Sequence, residues 1–81
     1  GQVHMQREEW SEAADFLRKA LDKGDLDDKQ GSAQVLLGIA LYNSGELVAA
    51  RASFERARGW DKNRAEADRW IEHISKELGQ A

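Results

Sequence analysis

One pattern of small and large apolar residues occurs twice in this chain, and this internal repeat limits the fold more than any other feature. The second copy begins at Ala50, with a phenylalanine four residues on and another alanine three residues later. The first copy begins at Ala13 and has leucine and alanine at the same offsets, 37 residues earlier. Periods of about 20–50 residues are typical of proteins that stack one small unit. We therefore expect one complete unit and part of another.

Helix is expected throughout the chain. Apolar residues recur at spacings of three and four, and Ala, Leu, Glu, Lys and Arg dominate the composition. Proline, the commonest helix breaker, is absent. Breaks are predicted at residues 7–10, 23–31, 43–45 and, more weakly, 59–63. They separate a short first helix from helices predicted over residues 11–23, 32–44, 48–59 and 63–78.

Two helix ends carry specific signals. Asn63 can cap the last helix, and Glu66 three residues later completes the capping-box pattern. Gly45 follows Asn43 and Ser44 and fits a left-handed helix stop.

The segment from residue 37 to residue 57 resembles the tetratricopeptide repeat. That family has Leu-Gly, a large apolar residue, a turn glycine, and then alanine, an aromatic residue and alanine along the second helix. The matching residues here are Leu37, Gly38, Leu41, Gly45, Ala50, Phe54 and Ala57. The chain departs from the pattern at Gln34, where tryptophan is usual, and at Lys62, where proline is usual.

The resemblance implies an all-α fold, an antiparallel helix-pair solenoid wound into a right-handed superhelix and ended by a C-terminal capping helix. It divides the single domain into a partial first repeat and long loop (1–30), a complete repeat (31–62) and the capping helix (63–81). In this register the chain begins inside the first helix of a repeat. It is therefore expected to be a C-terminal fragment of a longer repeat protein.

Small residues in the repeat predict where helices touch. Gly38 and Ala50 let the two helices of the complete repeat approach closely, and Phe54 fills the space beside them. Ala57 is expected where the following helix docks. Replacing Ala50 with a larger residue should overpack this pair of helices by about 1–3 kcal/mol.

Motifs for catalysis, metals and cofactors are absent from the sequence. The acidic loop at residues 22–31 lacks the ligand order and distal glutamate of a calcium loop. Neither histidine belongs to a zinc motif, cysteine is absent, and no nucleophile elbow or phosphate-binding glycine loop occurs. We therefore expect no enzyme activity, no cofactor and no metal.

Charge and hydropathy also argue against two kinds of partner. The net charge of -3 argues against nucleic acid as the main ligand. The longest apolar run, residues 35–42, is too short for membrane insertion.

The helix predicted at residues 32–44 is apolar nearly all round and needs cover on two sides. One interpretation is that its second apolar strip is simply core. The other is a concave binding surface shared with the first and last helices. The residues predicted for that surface are Met5, Val35, Ile39, Tyr42, Asn43, Arg69, Trp70 and His73.

The function implied by the resemblance is non-catalytic binding of a protein or peptide on this concave face. Two alternatives stay open. In the first alternative, the chain is a structural end cap or self-association segment of a longer array and forms a homo-oligomer through its open N-terminal edge. In the second, it is an accessory segment of an enzyme whose active site lies upstream.

Overall fold

A computed structural model describes residues 2–24 and 29–79, with side chains from residue 8 onward. The described part of the chain forms four α-helices and contains no strand. The prediction of an all-α fold is therefore confirmed. The helices are α1 (Gln2–Lys23), α2 (Gln30–Asn43), α3 (Leu47–Ala57) and α4 (Asp61–Glu77).

Helices α2, α3 and α4 begin and end within two residues of their predicted bounds, but the predicted break at residues 7–10 is wrong. Helix α1 runs without interruption through this segment. The segment consists of Arg7, Glu8, Glu9 and Trp10, and contains neither glycine nor proline. Arginine and glutamate are good helix formers, so nothing local stops the helix.

The helix ends confirm one predicted signal and contradict the other. Gly45 has a φ of 91°. Its N–H donates to the carbonyl of Tyr42, and the N–H of Glu46 donates to that of Leu41, which closes α2 with a Schellman motif. Asn63, however, is the third residue of α4, and Trp60 precedes the helix without a side-chain cap. The capping-box prediction was wrong because α4 starts earlier, at Asp61, whose charge suits a helix N-terminus.

Helix α2 is the centre of the fold, since it packs against α1, α3 and α4. Three residues connect α2 to α3 and three connect α3 to α4, so α3 runs antiparallel to both of these neighbours. Helices α2 and α4 consequently run side by side in the same direction. Gly31 lies against Trp60 at one end of this pair, and Tyr42 contacts His73 at the other.

The predicted close contact between α2 and α3 is confirmed. A Cβ added at Gly38 would lie 2.6–2.8 Å from three atoms of the Phe54 ring. Ala50, Phe54 and Ala57 are fully buried. A second close approach, which the sequence analysis missed, joins α2 to the start of α4. There a Cβ at Gly31 would lie 2.8 Å from Trp60.

Candidate binding surface on helices α2 and α4

The predicted site residues lie mainly on two neighbouring helices. Val35, Ile39, Tyr42 and Asn43 belong to α2, whereas Arg69, Trp70 and His73 belong to α4. Met5 lies outside the residues whose side chains the structure describes. The structure brings Tyr42, Trp70 and His73 into mutual contact.

The α2 residues differ in what they offer to a partner. Val35 is only 4% exposed and is part of the core, whereas the adjacent Leu36 is 54% exposed. Ile39 is half-buried. Asn43 donates a side-chain hydrogen bond to the Ile39 carbonyl at 3.0 Å, near the C-terminal end of α2. Leu36 rather than Val35 therefore presents apolar surface to solvent.

Trp70 links the core to the surface. Its ring stacks on the buried Phe54 ring with centroids 5.2 Å apart and planes 2° from parallel. Tyr42 meets the Trp70 ring edge-on, also at 5.2 Å. Aromatic pairs in such geometries contribute about 0.5–1.5 kcal/mol beyond the area they bury. Trp70 is thus a half-buried ring that packs on the core, and it supplies the cover for Phe54 that α2 and α3 leave open.

Three polar atoms join the C-terminal ends of α2 and α4. His73 Nε2 lies 2.9 Å from both Tyr42 Oη and Glu77 Oε1, and the Tyr42 hydroxyl also donates to Glu77 Oε1. The carboxylate oxygen can only accept, so Nε2 must carry a proton to bond it. The imidazole is therefore either the Nε2–H tautomer or the imidazolium. These hydrogen bonds fix the positions of the Tyr42 and His73 rings.

The stability of the protein should depend on the ionisation of Tyr42. Its pKa is raised above 10.0, first by the hydrogen bond to Glu77, then by burial and by the charge of that carboxylate. The unfolded chain loses this proton at lower pH than the folded protein does. The resulting stabilisation is complete below about pH 10 and is lost as pH rises through the folded pKa.

Tyr42→Phe removes this contribution. Urea unfolding between about pH 9 and pH 11 should show wild type losing stability more steeply than the variant. The variant shares every lysine with wild type, so it corrects for the other groups that titrate in this range. Equal slopes for the two proteins would contradict the role given to the phenol.

A shallow depression of about 360 Å³ lies along one face of α4. It is lined by Glu66, Arg69, Trp70 and His73, which follow one another at helical spacing. Arg69 is exposed and forms no ion pair with the described residues. Neither Glu66 nor Glu77 was predicted as a residue of this site. The sequence does place Glu66 one helical turn before Trp70 and Glu77 one turn after His73, and this spacing could have indicated both.

The candidate binding surface, called the α2–α4 surface below, consists of Leu36, Ile39, Tyr42, Arg69, Trp70 and His73.

Among the described residues, no three His, Cys, Asp or Glu side chains are placed to hold a metal ion. None of the described helices has the length and apolar character that crossing a membrane requires. The acidic segment 25–28 lies outside the described residues.

The described part of the chain thus defines an all-α protein of four packed helices with an aromatic cluster on one side. No family model, no curated protein and no solved structure matches this chain.

Proposed function

We propose that this chain is a tetratricopeptide-like module without catalytic activity that binds a segment of another protein on the α2–α4 surface. The observation that carries the proposal is the Tyr42–Trp70 pair, which reaches the surface while its inner side is held by the core. The right-handed superhelical arrangement and the capping role of α4 belong to the same proposal.

The composition of the surface suits protein recognition. Tryptophan, tyrosine and arginine are the residues that most often carry binding energy at protein interfaces. Trp70 is already held by its stacking on Phe54. It therefore loses little side-chain entropy when a partner covers it, and such preorganisation favours affinity. Arg69 offers a guanidinium that can meet a carboxylate of the partner.

A titration of the ¹⁵N-labelled protein with a panel of amphipathic and extended peptides tests the proposal. A bound peptide should shift the resonances of Ile39, Arg69, His73 and the Trp70 indole. Leu36→Ser and Arg69→Glu should each weaken binding about tenfold, because both residues are exposed and contribute at the contact. Phe16→Ser is the matched control, since Phe16 is exposed on α1. Peptide-induced shifts confined to α1 would contradict the proposal.

Self-association is the second candidate function, and exposed aromatic residues on α1 favour it. Phe16 is 72% exposed and Trp10 is 39% exposed. Helix α1 packs on α2 but not on α3 or α4 within the described residues. Exposed apolar surface of this kind is typical of interfaces between proteins.

Sedimentation velocity over a range of protein concentrations separates the two candidates. Self-association through α1 predicts a sedimentation coefficient that rises with concentration in wild type and stays constant in Phe16→Ser. A monomer at every concentration, together with peptide-induced shifts at Arg69 and Trp70, would leave peptide binding as the function.

A further inference from the structure

A second groove lies between α1 and α3 and is separate from the α2–α4 surface. These two helices do not pack against each other in the described residues, and α2 forms the floor between them. The groove has a volume of about 450 Å³, within the range of ligand-binding pockets. Its residues include Leu21 on α1, Leu37 on α2 and Ser53 on α3.

The floor of this groove contains an unsatisfied polar group. Gln34 is 8% exposed, and its side-chain oxygen Oε1 is buried without a hydrogen-bond partner. An acceptor left unpaired inside a protein is destabilising. Oε1 itself has almost no accessible surface, so a ligand can donate a hydrogen bond to it only when the terminal amide of Gln34 turns toward the groove.

Two arginines and one aspartate lie on the rim of the groove. Arg56 on α3 is exposed and forms no ion pair with the described residues. Arg18 on α1 pairs with Asp15 at 3.6 Å, but both side chains are largely exposed, so this pair is weak. Asp22 also lines the groove and offsets one of the two positive charges.

These features restrict the chemistry of the ligand. Arg18 and Arg56 outnumber Asp22 among the lining residues, which favours a neutral donor to Gln34 over a cationic one. A helix uses most of its N–H groups internally and cannot present them to a groove floor. An extended peptide has free backbone N–H groups, and its successive side chains point to opposite sides. One apolar side chain can therefore face the floor while its two neighbours face the rim.

We propose that the groove between α1 and α3 binds an extended acidic segment of a partner protein. The terminal amide of Gln34 turns toward the groove, so that Oε1 accepts from a backbone N–H of the segment, and an apolar side chain packs between Leu21 and Leu37. Carboxylates on either side of that side chain pair with Arg18 and Arg56. This site is independent of the α2–α4 surface.

The probe for this site is the blocked peptide acetyl-Ala-Asp-Leu-Asp-Ala-amide, titrated into the ¹⁵N-labelled protein. The peptide should shift the side-chain amide of Gln34 and the backbone amides of Leu37 and Ser53. Replacing both aspartates with asparagine, or methylating the leucine nitrogen of the probe, should each weaken binding about tenfold. No shift at Gln34 with millimolar peptide, or equal binding of the asparagine peptide, would overturn the proposal.

Two variants of the protein complete the test. Gln34→Leu removes the buried acceptor. The melting temperature of this variant should be equal to or above that of wild type, and its affinity for the probe should be about tenfold lower. Arg56→Gln changes an exposed residue and should lower the affinity for the probe severalfold. Lys62→Gln removes an exposed positive charge from α4, away from the groove and from the α2–α4 surface, and should leave binding of the probe unchanged. Unchanged binding by Gln34→Leu would overturn the proposal, as would dilution alone shifting Gln34, since a second copy would then fill the groove.

Discussion

Replacing Phe54 with alanine should lower the free energy of unfolding by about 3–5 kcal/mol, the largest loss expected from any single truncation in this protein. Phe54 is fully buried, with Gly38 on one side and the Trp70 ring stacked on the other. Its removal leaves a cavity and also uncovers the inner face of Trp70. A chain of 81 residues has a total stability of only about 4–12 kcal/mol, so this loss is a large part of it.

Thermal unfolding followed by circular dichroism measures the effect of Phe54→Ala. The melting temperature should fall by more than about 10 °C. Phe16→Ala removes the same ring from a position that is 72% exposed, and its melting temperature should stay close to that of wild type. Similar melting temperatures for the two variants would show that Phe54 is not the centre of the core.

Replacing Gly38 with valine should destabilise the protein by about 3 kcal/mol, although helix propensity alone favours valine by a few tenths of a kcal/mol. The added Cβ would lie less than 3 Å from three atoms of the Phe54 ring. The ring cannot move away, because Trp70 stacks on it. The steric clash predicts a lower free energy of unfolding for Gly38→Val, whereas helix propensity predicts a slightly higher one. The free energy of unfolding measured in urea therefore decides between the two effects.

A control and a double-mutant cycle sharpen this prediction. Ser32→Val introduces the same side chain at an exposed position of α2 and should change stability by less than about 0.5 kcal/mol. In the cycle, Gly38→Ala is combined with Phe54→Leu. The smaller side chain at position 54 leaves room for the new methyl group, so the double variant should be less destabilised than the sum of the single ones. Additivity within about 0.5 kcal/mol would contradict direct contact between the two residues.

The contact between α2 and α3 was predictable because it depends on local spacing. Gly38 and Leu37 precede the turn at Gly45, and Ala50 and Phe54 follow it, so a short hairpin of helices brings them together. The continuity of α1 was not predicted, although residues 7–10 contain no glycine or proline that would stop a helix. The start of α4 was predicted two residues too late, because Asn63 matches a capping pattern, whereas the helix begins at Asp61.

The candidate site was predictable only where helical register determines it. Tyr42 and His73 lie near the C-terminal ends of two parallel helices, and Trp70 lies about one turn before His73 on the same helix. Val35 was predicted at the surface but is buried, because α2 packs against three helices and little of it remains exposed. The unsatisfied amide of Gln34 leaves no signal in the sequence, since it depends on how far apart α1 and α3 lie.

The most direct test of the central claim, that a glycine of α2 lies against the Phe54 ring in a stack of helices, is a nuclear Overhauser spectrum of the labelled protein. It should contain strong cross-peaks from the Phe54 ring protons to the Gly38 Hα protons and to the Trp70 ring. Carbon shifts across residues 35–42 should be helical. Absence of the Gly38–Phe54 cross-peaks, or extended-chain shifts in that segment, would contradict the fold and the binding surface derived from it.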